Sequence, residues 1–131
     1  MLSKELRSAS QIVALVGLFF SILMFIPWLA SVAVGWKGGE DFLWSGLTAG
    51  FVCILVLLAT RGETPKISAR FGILVVNFLW WVVPLICALP FILALPELTL
   101  MDAIFEATSG LTTTGATVLN DLINQPRPIL L

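Results

Sequence analysis

The run Ser109-Gly110-Leu111-Thr112-Thr113-Thr114-Gly115-Ala116-Thr117 interrupts an otherwise apolar chain with three consecutive threonines lying between two glycines. Threonine is a poor helix former because its β-branch restricts χ1. Glycine takes φ > 0 at little steric cost. A threonine run ending on glycine therefore stays extended, and it can turn successive backbone carbonyls toward one axis. Rings of such carbonyls replace the water shell of a permeating cation. The run reads as one strand of a potassium selectivity filter over about 111–117. A Thr/Gly loop after an amphipathic helix is also a common feature, and periodicity alone leaves both readings open.

The residues before the run sharpen this reading. Thr99 is followed three residues later by Asp102, the spacing of a capping box. Leu100, Met101, Ala103, Ile104, Phe105 and Ala107 supply an apolar surface, and Gly110 is placed to serve as a C-terminal cap. The pattern predicts a helix over about 100–109. At 1.5 Å per residue such a helix is about 15 Å long, half of the ~30 Å hydrocarbon core, so it enters a bilayer and must return. Its carboxyl end carries partial negative charge, which favours a cation at the filter. Asp102 and Glu106 fall on one face. They form a solvated polar face at an outer mouth, or Glu106 is buried behind the filter and hydrogen-bonds its backbone. Ionisable groups at membrane depth face protein or water, and both readings satisfy that rule.

Composition places the chain in a membrane. It has 131 residues, 59% hydrophobic and 11% charged, with a mean hydropathy of +1.04. Soluble domains are about 45–50% apolar and about 25% charged. No basic cluster points to nucleic acid. Histidine is absent, which removes the commonest metal ligand and general base. No nucleophile–base arrangement is visible, and Asp102 with Glu106 lacks a further catalytic partner, so an enzyme is not expected. Cys53 and Cys87 lie alone in apolar runs and read as packing residues.

Three apolar runs are long enough to span, at about 20 residues each. They cover Ile12–Gly35, Phe42–Thr60 and Phe71–Pro96. Trp28, Trp36 and Trp44 fall near predicted ends, where indole rings favour the interface. Trp80 and Trp81 are mid-span and are expected to pack against other helices. Pro27, Pro84 and Pro90 lie inside spans, and a kink is expected at Pro84 or Pro90. Gly46 and Gly50, four apart, allow close contact with the first helix in an antiparallel hairpin. Lys4, Arg7 and Ser31-Val32-Ala33 resemble parts of a cleavable signal, but the apolar stretch exceeds the usual ~7–15 residues. Lys4, Arg7, Arg61, Lys66 and Arg70 fall on one side of the three-span arrangement, and only Lys37 and Arg127 on the other. The amino terminus and the second loop are therefore expected in the cytoplasm.

The segment from Asp102 to Leu119, Asp-Ala-Ile-Phe-Glu-Ala-Thr-Ser-Gly-Leu-Thr-Thr-Thr-Gly-Ala-Thr-Val-Leu, closely resembles the first pore segment of Trk-type potassium transporters of the Trk/Ktr/HKT superfamily. The preceding hairpin and third span are similar to the TrkH branch, which carries an extra two-helix element before its first pore repeat. The resemblance implies an all-α integral membrane protein. Residues 1–65 would form the amino-terminal hairpin. Residues 66–131 would form an incomplete first repeat, with a transmembrane helix over about 71–96, a pore helix over about 100–109 and a filter over about 111–117. Potassium would be the transported ion, held by backbone carbonyls at Thr112, Thr113, Thr114 and Gly115 and centred on Thr113 and Thr114. Glu106 and Gly110 would support the filter, and no organic cofactor is implied. Family members have four helix–pore–helix repeats in one chain, associate as homodimers and bind a cytoplasmic nucleotide-binding regulatory subunit. The partners implied are therefore three further repeats, a second copy, that subunit and membrane lipid. The location implied is the bacterial inner membrane. The other repeats are absent from these residues, so the resemblance implies an amino-terminal fragment. The alternative is a small, non-transporting membrane interaction subunit.

Overall fold

Three helices in the computed structural model are long and apolar enough to cross a membrane: Lys4–Val34, Glu40–Ala59 and Ala69–Ala94. The structure describes residues 2–62, 68–119 and 126–130. In chain order the helices are α1 (Leu2–Leu23), α2 (Phe25–Val34), α3 (Glu40–Ala59), α4 (Ala69–Ala94) and α5 (Leu100–Leu111), followed by a 3-10 turn at Arg127–Leu130. Lys66 and residues 120–125 lie outside the described residues.

The first span is two helices because of Pro27. Proline in the first turn of α2 has no N–H to donate to the Leu23 carbonyl, and its ring crowds that carbonyl. The helix therefore breaks at Met24 and restarts at Phe25. Pro84 and Pro90 interrupt nothing: both are buried, and α4 runs unbroken through them. The spans are also longer toward the arginine-rich end than hydropathy alone suggests. α1 begins at Leu2 and includes Lys4 and Arg7, and α4 begins at Ala69 behind a Ser68 cap whose side chain accepts from the Phe71 amide.

α1, α3 and α4 pack around a core of Ala14, Met24, Phe42, Ala49, Cys53 and Ile86. Small residues set the spacing. The Ser21 hydroxyl donates to the Gly46 carbonyl at 2.6 Å, a polar tie between α1 and α3. A Cβ on Gly50 would lie 2.8 Å from Ser21 Oγ, and one on Gly17 would lie 2.8 Å from Cys53 Sγ and 2.9 Å from Ile86 Cδ1. The three long helices thus converge on the bare backbone of Gly17. A second cluster, Ala9, Phe71 and Val75, closes α1 on α4 at the other end. Trp80 and Trp81 are 56% and 73% exposed among the described residues, and Trp80 borders Val16 and Phe20 of α1.

Gly17→Leu is expected to destabilise the chain by about 1–3 kcal/mol, the usual cost of overfilling a packed contact. Gly72 is helical, and its added Cβ would meet nothing within 4 Å. Gly72→Ala is therefore expected to stabilise by about 0.5–1 kcal/mol. Thermal unfolding in detergent, followed by circular dichroism, checks both.

Candidate functional site

α5 starts where Thr99 and Asp102 close a reciprocal cap. Thr99 Oγ1 accepts from the Asp102 amide at 3.2 Å, and Asp102 Oδ2 accepts from the Thr99 amide at 3.1 Å and from its hydroxyl at 2.6 Å. The Thr99 hydroxyl, then its amide, hold the Asp102 carboxyl below the usual carboxylate range. One face of the helix is small and buried: Ala103 and Ala107 pack on Ala88 of α4, flanked by Cys87, Phe91, Ile92 and Ile104. The opposite face leaves Met101 74% exposed. Twelve residues make α5 about 18 Å long, still well short of a bilayer's hydrocarbon core.

The helix ends later than its sequence suggests. Gly110 lies inside α5, which runs through Leu111, and Thr112 is the C-cap. The expectation that Gly110 caps the helix is therefore corrected. The left-handed position falls on Thr113, at φ 54°. Its amide donates to the Gly110 carbonyl at 3.1 Å, and the Thr114 amide donates to the Ser109 carbonyl at 3.0 Å. These are the two bonds of a Schellman closure, with threonine where glycine is usual. A β-branched residue at positive φ is a genuine outlier, of a kind that clusters at functional sites.

Beyond the closure, Gly115 has φ 72°, and among the described residues Thr112, Thr114 and Ala116 do not share that sign. The handedness thus alternates from 112 to 116. Such alternation turns successive N–H groups to one side and carbonyls to the other. The amides of Thr112, Thr113 and Thr114 all donate back into α5. The carbonyls of Thr112, Thr113, Thr114 and Gly115 accept no hydrogen bond among the described residues, and all four residues are exposed. The threonine side chains are tied locally, with Thr112 Oγ1 donating to the Thr108 carbonyl at 2.8 Å and lying 2.7 Å from Thr114 Oγ1.

The returning strand is pinned to the helix from Ala116 onward. The buried Ser109 hydroxyl donates to the Ala116 carbonyl at 2.6 Å. Half-buried Glu106 offers one oxygen, Oε1, to the Thr117 hydroxyl at 2.7 Å, the Val118 amide at 2.5 Å and the Leu119 amide at 3.3 Å. Ser109 and Thr117 therefore hold the segment beside Glu106. Their signal in the sequence is the three-residue spacing of Glu106 and Ser109, which puts both on one helix face. The geometry brings Thr112–Gly115 and Glu106 into one unit. Among the described residues, a Cβ added at Gly110 would meet nothing within 4 Å.

These features define a multi-pass, all-α membrane protein that carries a half-length helix and a returning, carbonyl-bearing strand. No protein-family model matches the chain. The Trk system potassium uptake protein TrkH of Escherichia coli (strain K12) is 38% identical over 125 residues, covering 95% of this chain and 26% of its own length. TrkG of the same strain is 32% identical over 117 residues, covering 81% of this chain and 24% of its own. The crystal structure of the potassium transporter TrkH from Vibrio parahaemolyticus matches with a TM-score of 0.87 at 32% identity, over 95% of this chain and 27% of that one. The chain belongs to the Trk-type potassium transporter family, on its TrkH branch. It spans about a quarter of the length of these relatives, which are transport proteins and not enzymes.

Glu106→Ala is expected to raise amide exchange at Val118 and Leu119 by about tenfold or more, since hydrogen bonds to a charged group are worth about 1.5–3 kcal/mol. Glu106→Gln keeps an acceptor oxygen and should fall between wild type and alanine. Hydrogen–deuterium exchange of the 117–119 peptide checks this.

Proposed function

We propose that this chain supplies one strand of a potassium-coordinating filter in a Trk-type uptake protein. The ion is held by the backbone carbonyls of Thr112, Thr113, Thr114 and Gly115, with potassium centred at Thr113 and Thr114. The observation that carries the reading is the set of four consecutive carbonyls left without partners. The amides beside them are spent on α5, and the next carbonyl, at Ala116, is spent on Ser109. An unpaired carbonyl held away from water costs several kcal/mol, so such a row requires water or a cation. Carbonyls replace the hydration shell of potassium, and the negative end of the α5 dipole adds attraction. Glu106 supports the filter by anchoring its return, and Ser109 shares that task.

One strand cannot surround an ion. In this reading the remaining strands come from the three other pore repeats that the resemblance implies, and the assembly is a homodimer with a cytoplasmic nucleotide-binding regulatory subunit. Residues 1–65 act as a hairpin flanking the pore unit at 66–131. The protein resides in the bacterial inner membrane with its amino terminus in the cytoplasm. Arg61, Lys66 and Arg70 fix that orientation by the positive-inside rule.

Two measurements test this. In a background without Cys53 and Cys87, an impermeant thiol reagent applied to intact cells should label Glu40→Cys and spare Ala69→Cys. The reverse pattern contradicts the orientation. The filter is tested in a complete four-strand Trk protein carrying this segment, by potassium, rubidium and sodium uptake at equal protein abundance. Gly115→Ser adds a Cβ at φ 72°, where space is open but the conformation is strained by about 1–2 kcal/mol. It should cut potassium uptake or its preference over sodium by about tenfold, since ~1.4 kcal/mol is a factor of ten. Gly110→Ala should leave uptake unchanged. Wild-type uptake and selectivity in Gly115→Ser would overturn the assignment.

A further inference from the structure

Two of the four exposed carbonyls are aimed by the amides that share their peptide planes. The C=O and N–H of one trans peptide unit point in opposite directions. The Thr113 amide donates to the Gly110 carbonyl at 3.1 Å, so the Thr112 carbonyl faces away from α5. The Thr114 amide donates to the Ser109 carbonyl at 3.0 Å, which turns the Thr113 carbonyl away in the same manner. The Thr114 carbonyl lacks this help. It shares its plane with the Gly115 amide, which donates to nothing among the described residues. Glycine at 115 lets that plane rotate at little steric cost. Turned over, the plane would present an N–H to a cation in place of an oxygen.

Proton counting shows what holds residue 114. A threonine hydroxyl has one proton, and a carbonyl oxygen can only accept. Thr112 Oγ1 lies 2.8 Å from the Thr108 carbonyl and 3.4 Å from the Ser109 carbonyl, so its proton is spent on α5. The 2.7 Å contact between Thr112 Oγ1 and Thr114 Oγ1 therefore takes its proton from Thr114. The relay runs from Thr114 through Thr112 into the last turn of α5, across the left-handed Thr113. Residue 114 is thus held at two points, by its amide on Ser109 and by its hydroxyl on Thr112. Two points fix the direction in which the chain leaves its Cα, whereas one lets it swing. Downstream, the Ser109 hydroxyl catches the chain again at the Ala116 carbonyl. The unassisted plane between 114 and 115 is bracketed by a hydroxyl tie on each side.

We infer that Thr114 is a positioning residue whose side-chain hydroxyl, acting through Thr112, aims its own carbonyl at the ion. This role rests on the filter reading proposed above, and it gives the third threonine of the run a task that its backbone alone does not perform.

The test uses a complete four-strand Trk protein carrying this segment, with potassium and sodium uptake compared at equal membrane abundance. A neutral hydrogen bond is worth a factor of about two to ten. Thr114→Val keeps the branched shape and loses the hydroxyl, so it should lower the preference for potassium over sodium by about that factor. Thr114→Ser keeps the hydroxyl and should regain most of the loss. Thr112→Val/Thr114→Val should be no worse than Thr112→Val, since either change breaks the relay. Both side chains are exposed, so none of these variants empties a packed core. Equal losses in Thr114→Val and Thr114→Ser overturn the proposal, as do additive losses in the double variant. Wild-type preference in Thr114→Val beside a loss in Gly115→Ser overturns the role of the hydroxyl and leaves the filter standing. Wild-type preference in both overturns the filter as well.

Discussion

A backbone that leaves a helix within a bilayer must find a partner for every N–H and C=O it frees, because lipid offers none. Glu106 meets most of that demand for the returning strand. A single carboxylate oxygen accepts from the Thr117 hydroxyl and from the Val118 and Leu119 amides, and Ser109, one turn further along, takes the Ala116 carbonyl. Both anchors depend on α5 being fixed. The Thr99–Asp102 cap starts it in register, and the contact of Ala103 and Ala107 with Ala88 seats it on α4. α4 in turn is held by α1 and α3 where they converge on Gly17. The order of dependence thus runs from three apolar helices to a half-helix to a strand.

The left-handed Thr113 is the clearest sign that the strand is shaped for more than closure. Glycine would close the helix there without a Cβ penalty, and Gly110 is only three residues away. Threonine holds the position because two backbone bonds, to Gly110 and Ser109, over-determine it. The consequence is that three successive amides point back at the helix while the carbonyls from 112 to 115 stay unspent. A row of unspent acceptors is chemically the inverse of an anion nest, and it suits a cation.

Much of the scaffold was legible from residue order. Unbroken apolar runs locate the three spans, and the half-length of the 100–111 segment follows from its cap and its threonines. Boundaries were less legible, because polar first turns at Leu2–Arg7 and Ala69–Arg70 are helical through continuity with the spans and not through hydropathy. Gly110 misled, since a glycine near a helix end signals a cap although the closure lies three residues on. Pro27 ends one helix and starts another, while α4 continues through Pro84 and Pro90. Trp80 and Trp81 illustrate a different limit: their mid-span position is a matter of sequence, but the face they occupy depends on how α1 and α3 dock. The spacing of Glu106 and Ser109 puts them on one helix face, but their partners at Ala116 and Thr117 were not legible, because those contacts exist only where the returning strand meets α5.

The central claim is that the carbonyls of Thr112, Thr113, Thr114 and Gly115 meet the ion and that Ala116 does not. Solid-state NMR of a complete four-strand Trk protein, with these residues carbonyl-labelled with ¹³C and potassium exchanged for sodium in membranes, tests it most directly. The account predicts resonance shifts at the carbonyls of 112–115, centred on Thr113 and Thr114, with Ala116 held constant by Ser109. Unchanged resonances at 112–115, or a shift confined to Ala116, would contradict it.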